Sequence, residues 1–363
     1  MRILRPSVAL LFAATLVMAL ALPSAARNIQ ANNAYTVQNL VSDQAGVATF
    51  TDANLKNGWG IAWGITANGG TPWWVADNHT DSSTLYRGDG SIVSRVVGVA
   101  GGPTGIVFNG TSDFSVSDGT NSAAALFIFA TEGGQILGWH PSVGGGTDAV
   151  LGGAHAGANY KGLAIGVSGH DGNNYLYAAD FHNAAIDVYD GSYANVSLSG
   201  DFTDPGIPAG FAPFNIQNLG GTLYVTYAMQ DADAEDEIAG AGLGYVSAFD
   251  TDGNFLGRIA SGGSLNAPWG LAWAPSSGFG KFSGDLLVGN FGDGRINAFG
   301  ASADGWEARG HLKTADHHPL SIDGLWGIGF GNGTGSGPTT TLYFAAGPND
   351  EENGLFGSIT SAP

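Results

Sequence analysis

Polar side chains recur at one point of a repeating pattern in this chain of 363 residues. In each repeat, a second apolar run ends in acidic or amide residues. Their oxygen atoms are the ligands that hard divalent cations, above all calcium, prefer, and they also accept hydrogen bonds from ligand hydroxyl and amide groups. Asp and Asn also occur at such places because they cap turns. The residues of this set that we predict to bind ligand are Asp77, Asn78, Glu132, Asp180, Asn290 and Asp293.

A second set of side chains stands where the first apolar run of each repeat begins. Trp269 and Trp326 belong to this set, and an indole ring there can stack on a ligand or fill space between repeats. We predict that both contact ligand, with packing between repeats as the alternative. The remaining members of the set are Asn57, Thr104, Lys161 and Asn215.

Two histidines occupy equivalent places in the first and third repeats. His79 and His182 each follow a second apolar run by two residues. Imidazole titrates near neutral pH, so either residue can be a general base, a metal ligand or an ordinary loop residue. They are the candidate catalytic residues of the chain.

Short apolar strands separated by glycine-rich turns must position these side chains. Glycine accounts for 60 of the 363 residues and stands beside the start of most first strands, where it permits close backbone approach. Units of about four short strands that recur along a whole chain are typical of propeller blades. The sequence therefore predicts an all-β, six-bladed β-propeller. Its first strands begin near residues 59, 105, 162, 215, 269 and 326.

The two ends of the repeat region complement each other. The sixth repeat has only three strands, and an isolated strand, Tyr35–Val41, precedes the first repeat. Pairing it into the last blade would close the ring and protect its edges. The segments 144–157, 231–244 and 331–338 are interpreted as loops inserted within or between blades. The second begins with the acidic run 231–237, which carries five acids in seven residues and indicates a solvated loop or a cation site.

The first 26 residues have the features of a secretory signal peptide. Arg2 and Arg5 precede the apolar run Val8–Leu22, and small residues follow up to Ala26. We expect cleavage near Ala26, an extracellular or periplasmic location, and a single propeller domain over residues 27–363. With 31 acidic and 12 basic residues, the net charge is −19. This charge disfavours nucleic acid and anionic membranes as partners, and we expect a monomer without a membrane span.

The sequence motifs of several repeats resemble those of a known family. NGWGIAW from Asn57, PWWVADN from Pro72, DGLWGIGF from Asp323 and the stretch Ala267–Phe299 are similar to secreted, mostly bacterial six-bladed propellers of unknown function. More distantly, the repeats resemble NHL-type and gluconolactonase-like propellers. In those hydrolases a calcium ion is held on the axis. The resemblance implies Asn57, Asn215 and Asp323 as candidate metal ligands here.

Three functions are compatible with this sequence. The first is binding of an extracellular carbohydrate or peptide at an acidic face around the propeller axis. The second is a calcium-dependent hydrolase or lactonase, in which the metal polarises a carbonyl group and His79 or His182 acts as general base. The third is a structural protein of the cell envelope, because one fold hosts many functions.

Overall fold

Six antiparallel sheets of four blade strands each surround a common axis in the computed structural model. The structure describes residues 32–303 and 305–362, which lie within one compact unit, Asn32–Pro363. The predicted all-β, six-bladed propeller is confirmed. The proposed signal peptide lies outside the described residues and stays a prediction. In the described part of the chain, no helix has the length and apolar character needed to cross a membrane.

Aromatic and β-branched residues dominate the strands, as expected for pleated surfaces that pack against neighbours. Strands are given from the axis outwards. Blade 1 contains Gly58–Ala62, Trp73–Asp77, Ser82–Tyr86 and Ile92–Gly98. Blade 2 contains Pro103–Phe108, Phe127–Thr131, Gln135–Trp139 and Val150–Ala154. Blade 3 contains Tyr160–Val167, Asn174–Asp180, Ala185–Tyr189 and Asn195–Val196.

The second half of the ring follows the same order. Blade 4 contains Phe211–Leu219, Thr222–Gln230, Tyr245–Phe249 and Phe255–Ser261. Blade 5 contains Pro268–Trp273, Leu286–Asn290, Ile296–Ser302 and Gly305–His311. Blade 6 contains Leu325–Phe330, Leu342–Ala346, Leu355–Ser361 and Tyr35–Ser42.

Several short elements lie outside the four-stranded blades, and one predicted loop contains a blade strand. The interpretation of residues 144–157 as an inserted loop was wrong in part, because Val150–Ala154 is the outer strand of blade 2. Its two glycines lower the strand signal in the sequence. The other short elements are the strands Phe50–Thr51, Ile65–Thr66, Gly69–Gly70, Ser115–Ser117, Ser122–Ala124 and Glu237–Ile238 and the 3-10 turns Asn78–Thr80, Gly144–Gly146 and Gly280–Phe282.

The strand that precedes the first repeat closes the ring, as predicted. Tyr35–Ser42 pairs antiparallel with Leu355–Ser361, so that Tyr35 lies opposite Ser361. The buried Tyr35 hydroxyl donates a hydrogen bond of 2.9 Å to the carbonyl oxygen of Phe279 in blade 5. The last blade therefore combines both ends of the described chain.

Glycines allow the inner strands to converge on the axis, which confirms the reason inferred for their recurrence. A Cβ atom on Gly105 would lie 2.3 Å from the backbone nitrogen of Leu163 in the next blade. A Cβ on Gly327 would lie 2.6 Å from the carbonyl oxygen of Trp59. Blade 4 departs from the pattern and carries Asn215 at the equivalent position. The other members of this ring of glycines are Gly60, Gly162 and Gly270.

The core lies between successive blades, because alternate residues of a strand face opposite neighbours. In blade 1, Trp73 and Val75 pack on blade 6, whereas Trp74 and Ala76 pack on blade 2. We call the face at which the inner strands begin and the second strands end the acidic face. The inner strands end at the opposite face.

Candidate functional site

A buried lysine lies at the centre of the acidic face. Lys161, near the start of the inner strand of blade 3, has 1% of its surface exposed. Its ammonium group lies 2.5 Å from Oε1 of Glu132 and 3.1 Å from Oδ1 of Asp236. Burial acts to lower the pKa of Lys161, but the neighbouring carboxylates of Glu132 and Asp236 raise it above its ordinary value. The group is therefore a permanent cation at physiological pH.

The acidic run 231–237 folds back toward this lysine. Glu237–Ile238 pairs with Met229–Gln230 at the end of the second strand of blade 4. Asn159 donates hydrogen bonds to the carboxylate and the backbone carbonyl of Glu235, at 2.8 and 3.2 Å. Asp236 follows directly and reaches Lys161. The run is thus anchored to blade 3 and borders the axis.

A second loop brings Glu351 to the same place from blade 6. Its carboxylate accepts a hydrogen bond from the side-chain amide of Asn57. Three consecutive residues, Asn349, Asp350 and Glu351, have φ angles of 61°, 51° and 66°, and Asn57 has a φ of 46°. Asn and Asp tolerate left-handed backbone, but it costs about 1–2 kcal/mol for a residue such as Glu351, and such strain clusters at functional sites.

The amide of Asn78 completes the network. It donates to Oε2 of Glu132 at 2.9 Å and lies 3.4 Å from the amide nitrogen of Asn57. Asn57 in turn accepts a hydrogen bond of 3.0 Å from the indole of Trp326. Blades 1, 2, 3 and 6 are joined in this way by side chains alone. The network converges on the axis, where the repeat pattern predicted that polar residues would meet.

Aromatic side chains seal the axis beneath the network. Trp59 and Trp326 stack with their ring centroids 3.7 Å apart, and Phe291 stacks on the other side of Trp326 at 4.0 Å. Trp269 donates a 2.9 Å hydrogen bond to the backbone carbonyl of Lys161. The Lys161 ammonium lies 5.3 Å from the centroid of Trp59, a favourable cation–π distance. We call Trp59, Phe181, Phe214, Trp269, Phe291 and Trp326 the aromatic plug.

Two carboxyl groups of the site hold their protons unusually strongly. The pKa of Glu237 is raised to about 8, mainly by burial and with help from the charges of Glu351 and Asp236, against the opposing effects of its backbone hydrogen bond and of Lys161. Burial also raises the pKa of Glu351. His79, exposed on the turn Asn78–Thr80, lies close enough for its charge to act on Glu351. Perturbed carboxyl groups of this kind mark functional sites.

The other predicted ligand-binding residues lie away from the axis. Asp77 is fully buried beside Thr84, Tyr86 and Asp52, and burial raises its pKa well above the ordinary value. Asn290 donates to the backbone carbonyl of Ser264 and to Asp293. Successive side chains of a strand point to opposite sides. The position of a residue along the strand therefore decides whether its side chain points toward the axis or lies between blades.

His182 and Asp180 lie at the blade 3 edge of the acidic face. Nδ1 of His182 lies 3.2 Å from Oε1 of Glu235. The buried Asp180 accepts hydrogen bonds from the backbone of Asn159 and from Asn183. Among the described residues, ligand atoms of His155, Asp180 and Asp187 come within 4.8 Å of one another.

The three candidate metal ligands make separate contacts. Asn57 binds Trp326 and Glu351, as described above. The amide of Asn215 is 3% exposed, donates 2.8 Å to the carbonyl of Trp269 and accepts 2.8 Å from the backbone nitrogen of Ile216. Asp323 is exposed and accepts a hydrogen bond from the backbone of Asn349. Asn215 thus bridges blades 4 and 5 where the other blades carry glycine.

Several residues of the site were not selected from the sequence. Asp236 and Glu237 belong to the acidic run, whose density of charge was the signal that could have indicated them. Lys161 stands at the start of an inner strand, and a lysine in the place of Trp or Phe there is an unusual feature of the sequence. Glu351 has no local pattern that distinguishes it from the acids beside it.

Comparison with known proteins gives relatives whose function is not described. No family model matches the sequence. The chain is 35% identical over 347 residues to uncharacterized protein R648 of Acanthamoeba polyphaga mimivirus, covering 90% of this chain and 80% of that protein. Uncharacterized protein L690 of the same virus is 34% identical over 346 residues, covering 90% of this chain and 85% of the relative.

The chain belongs to the family of these two viral proteins. Among solved structures, a glucose dehydrogenase superposes with a TM-score of 0.52 at 12% identity, covering 90% of this chain and 99% of the enzyme. At that identity the likeness shows the fold alone. Family membership and fold thus agree on a propeller of unknown function.

Proposed function

We propose that this family member is a secreted binding protein whose acidic face holds a peptide through a protonated amine. The observation that carries the proposal is the convergence of four carboxyl groups on one point of the axis, around the buried ammonium of Lys161. They are Glu132, Asp236, Glu237 and Glu351.

Electrostatics favours a cationic ligand at this point. The pKa values of Glu237 and Glu351 are raised because burial and neighbouring acids make further negative charge costly. An arriving ammonium group offsets that cost and favours the carboxylate form of both. The net charge of −19 attracts such a ligand over longer distances. The carboxylates of Glu237 and Glu351 would then bind the ligand as Glu132 and Asp236 bind Lys161.

The proposal favours a basic peptide over a carbohydrate for a physical reason. Sugar hydroxyl groups do not carry the positive charge that would stabilise the carboxylate forms of Glu237 and Glu351. The indole rings of Trp269 and Trp326 are 5% and 0% exposed, so they offer no free face for a sugar ring to stack on. Both tryptophans instead support the site from below.

Isothermal titration with tetralysine as the probe tests the proposal. We expect binding that tightens as the pH rises from 6 to 9, because ligand binding then no longer has to displace the Glu237 proton. Glu237→Gln and Glu351→Gln should each weaken binding about tenfold and reduce the pH dependence. Cellohexaose should give no heat of binding.

Glu307→Gln is the matched control. Glu307 lies on the outer strand of blade 5 with half of its side chain exposed, and at pH 9, where Glu237 is ionised, the two substitutions remove the same charge. If Glu307→Gln weakens tetralysine binding as much as Glu237→Gln, attraction by overall charge explains the result and the proposed site is wrong. Binding of cellohexaose in place of tetralysine would point to the carbohydrate alternative.

A further inference from the structure

An axial cavity opens at the face opposite the acidic face. Its volume is about 750 Å³, which is within the range of small-molecule binding sites. All six inner strands contribute to its wall, because they separate from one another beyond the ring of glycines. Trp269 and Asn215 form part of its floor, so the aromatic plug separates this cavity from the carboxyl groups of the acidic face.

The lining of the cavity contains no formal charge. Among the described residues that line it, none is Asp, Glu, Lys, Arg or His, although the chain has 31 acidic residues. A charged ligand would lose its hydration here without gaining a counter-ion. The lining therefore selects against ions and selects for uncharged molecules.

Aromatic side chains surround the mouth. The indole of Trp63 is fixed by a 2.7 Å hydrogen bond from its Nε1 to the carbonyl oxygen of Phe330. Trp273, at the end of the inner strand of blade 5, is 43% exposed. It is held edge-on against Trp306, with ring centroids 5.8 Å apart. A large indole that is both exposed and held in place is suited to contact a ring of a ligand.

The side-chain amides of the lining are engaged, with one exception. Asn215 bridges two blades as described above. Asn218 donates to the carbonyl oxygen of Ile165 and accepts from the backbone of Gly221. The amide of Gln217 makes no hydrogen bond with any described residue and lies half-buried in the wall. It offers a ligand the two N–H donors of its amide nitrogen and the acceptor of its carbonyl oxygen.

We propose that this cavity binds an uncharged, ring-containing small molecule. The ligand is apolar over most of its surface, rests against Trp273 and Trp63, and places one polar group against the amide of Gln217. An oligosaccharide fits less well, because its many hydroxyl groups would find few polar side-chain groups in a wall that is mostly apolar. The proposal is independent of the function proposed for the acidic face.

Fluorescence titration with N-phenyl-1-naphthylamine tests this inference. The probe is uncharged and aromatic, and its emission rises in apolar surroundings. We expect saturable binding with one site per chain. Trp273→Ala should weaken the binding about tenfold or more through lost apolar contact, and Gln217→Glu should weaken it comparably because it places a charge in the wall.

Phe255→Ala is the control for adsorption to exposed aromatic surface. Phe255 is 40% exposed, lies on the outer strand of blade 4 and does not line the cavity. Its substitution and Glu237→Gln should both leave probe binding unchanged. The inference is overturned if the folded protein shows no saturable signal, if Phe255→Ala is as damaging as Trp273→Ala, or if cellohexaose displaces the probe and indole does not.

Discussion

The ammonium nitrogen of Lys161 lies 2.5 Å from Oε1 of Glu132, and the two residues come from neighbouring blades. Lys161 enters from the inner strand of blade 3, whereas Glu132 follows the second strand of blade 2. The pair therefore connects two blades at the axis. Asp236 is its other carboxylate partner, but 73% of the Asp236 side chain is exposed.

Glu132→Gln is predicted to lower the free energy of unfolding by about 1–3 kcal/mol, because it leaves a buried ammonium with one exposed partner. Lys161→Met removes the charge, so the double variant should recover part of this loss. Chemical denaturation of the two single variants and the double variant measures the coupling. Strictly additive losses would show that the pair does not couple the blades.

The pH dependence of stability should reveal Glu237. Its folded-state pKa of about 8 exceeds the ordinary value of 4.5, so the folded protein binds this proton more tightly than the unfolded chain. The stabilisation of the folded state by this proton is therefore fully present below about pH 4.5 and is lost as the pH rises toward 8 and beyond. Melting temperatures between pH 5 and 9 should fall less steeply in Glu237→Gln than in the wild type. Parallel curves for the two proteins would contradict this assignment.

The ring of glycines gives a sharp prediction about packing. Gly105→Ala places a methyl group 2.3 Å from a backbone nitrogen that cannot move independently. We expect the free energy of unfolding to fall by about 1–3 kcal/mol. Gly110→Ala is the matched control in the same blade. Its added Cβ would lie 3.5 Å from the nearest atom, a ring carbon of Phe108. Similar melting temperatures for the two variants would rule out close strand approach as the reason for glycine.

Asn215 is predicted to be a bridge between blades. Asn215→Ala leaves the carbonyl of Trp269 and the backbone nitrogen of Ile216 without their side-chain partners, which should cost about 1–3 kcal/mol. The change in melting temperature on adding calcium, compared with a chelator, should be equal in the wild type and the variant. A calcium-dependent shift that disappears in Asn215→Ala would instead support its assignment as a metal ligand.

The sequence was sufficient for the architecture because the repeat is local. Each inner strand begins within a few residues of its predicted start, and Tyr35–Ser42 fills the place that three strands in the last repeat left vacant. The period of the repeat also indicated which face would gather polar groups. Asn57, Asn78 and Glu132 meet there.

The composition of the site depended on features without a local signature. The path of residues 231–237 is fixed by long-range contacts with Asn159 and Lys161, which no spacing in the sequence encodes. The orientation of Asp77 depends on strand parity, and a shift of one residue turns a side chain from one blade interface to the other. Glu237 and Glu351 lie on loops that are distant in the sequence, so their proximity could not be predicted from it.

The pairing of Tyr35–Ser42 with Leu355–Ser361 also determines the order of events during synthesis. The first of these strands leaves the ribosome early and has no partner until the second has been made. Until then, the circle stays open and every blade interface lacks the mutual support that closure provides. A chain interrupted before Leu355 cannot complete the circle, so closure of the ring requires that the strand Leu355–Ser361 has been made.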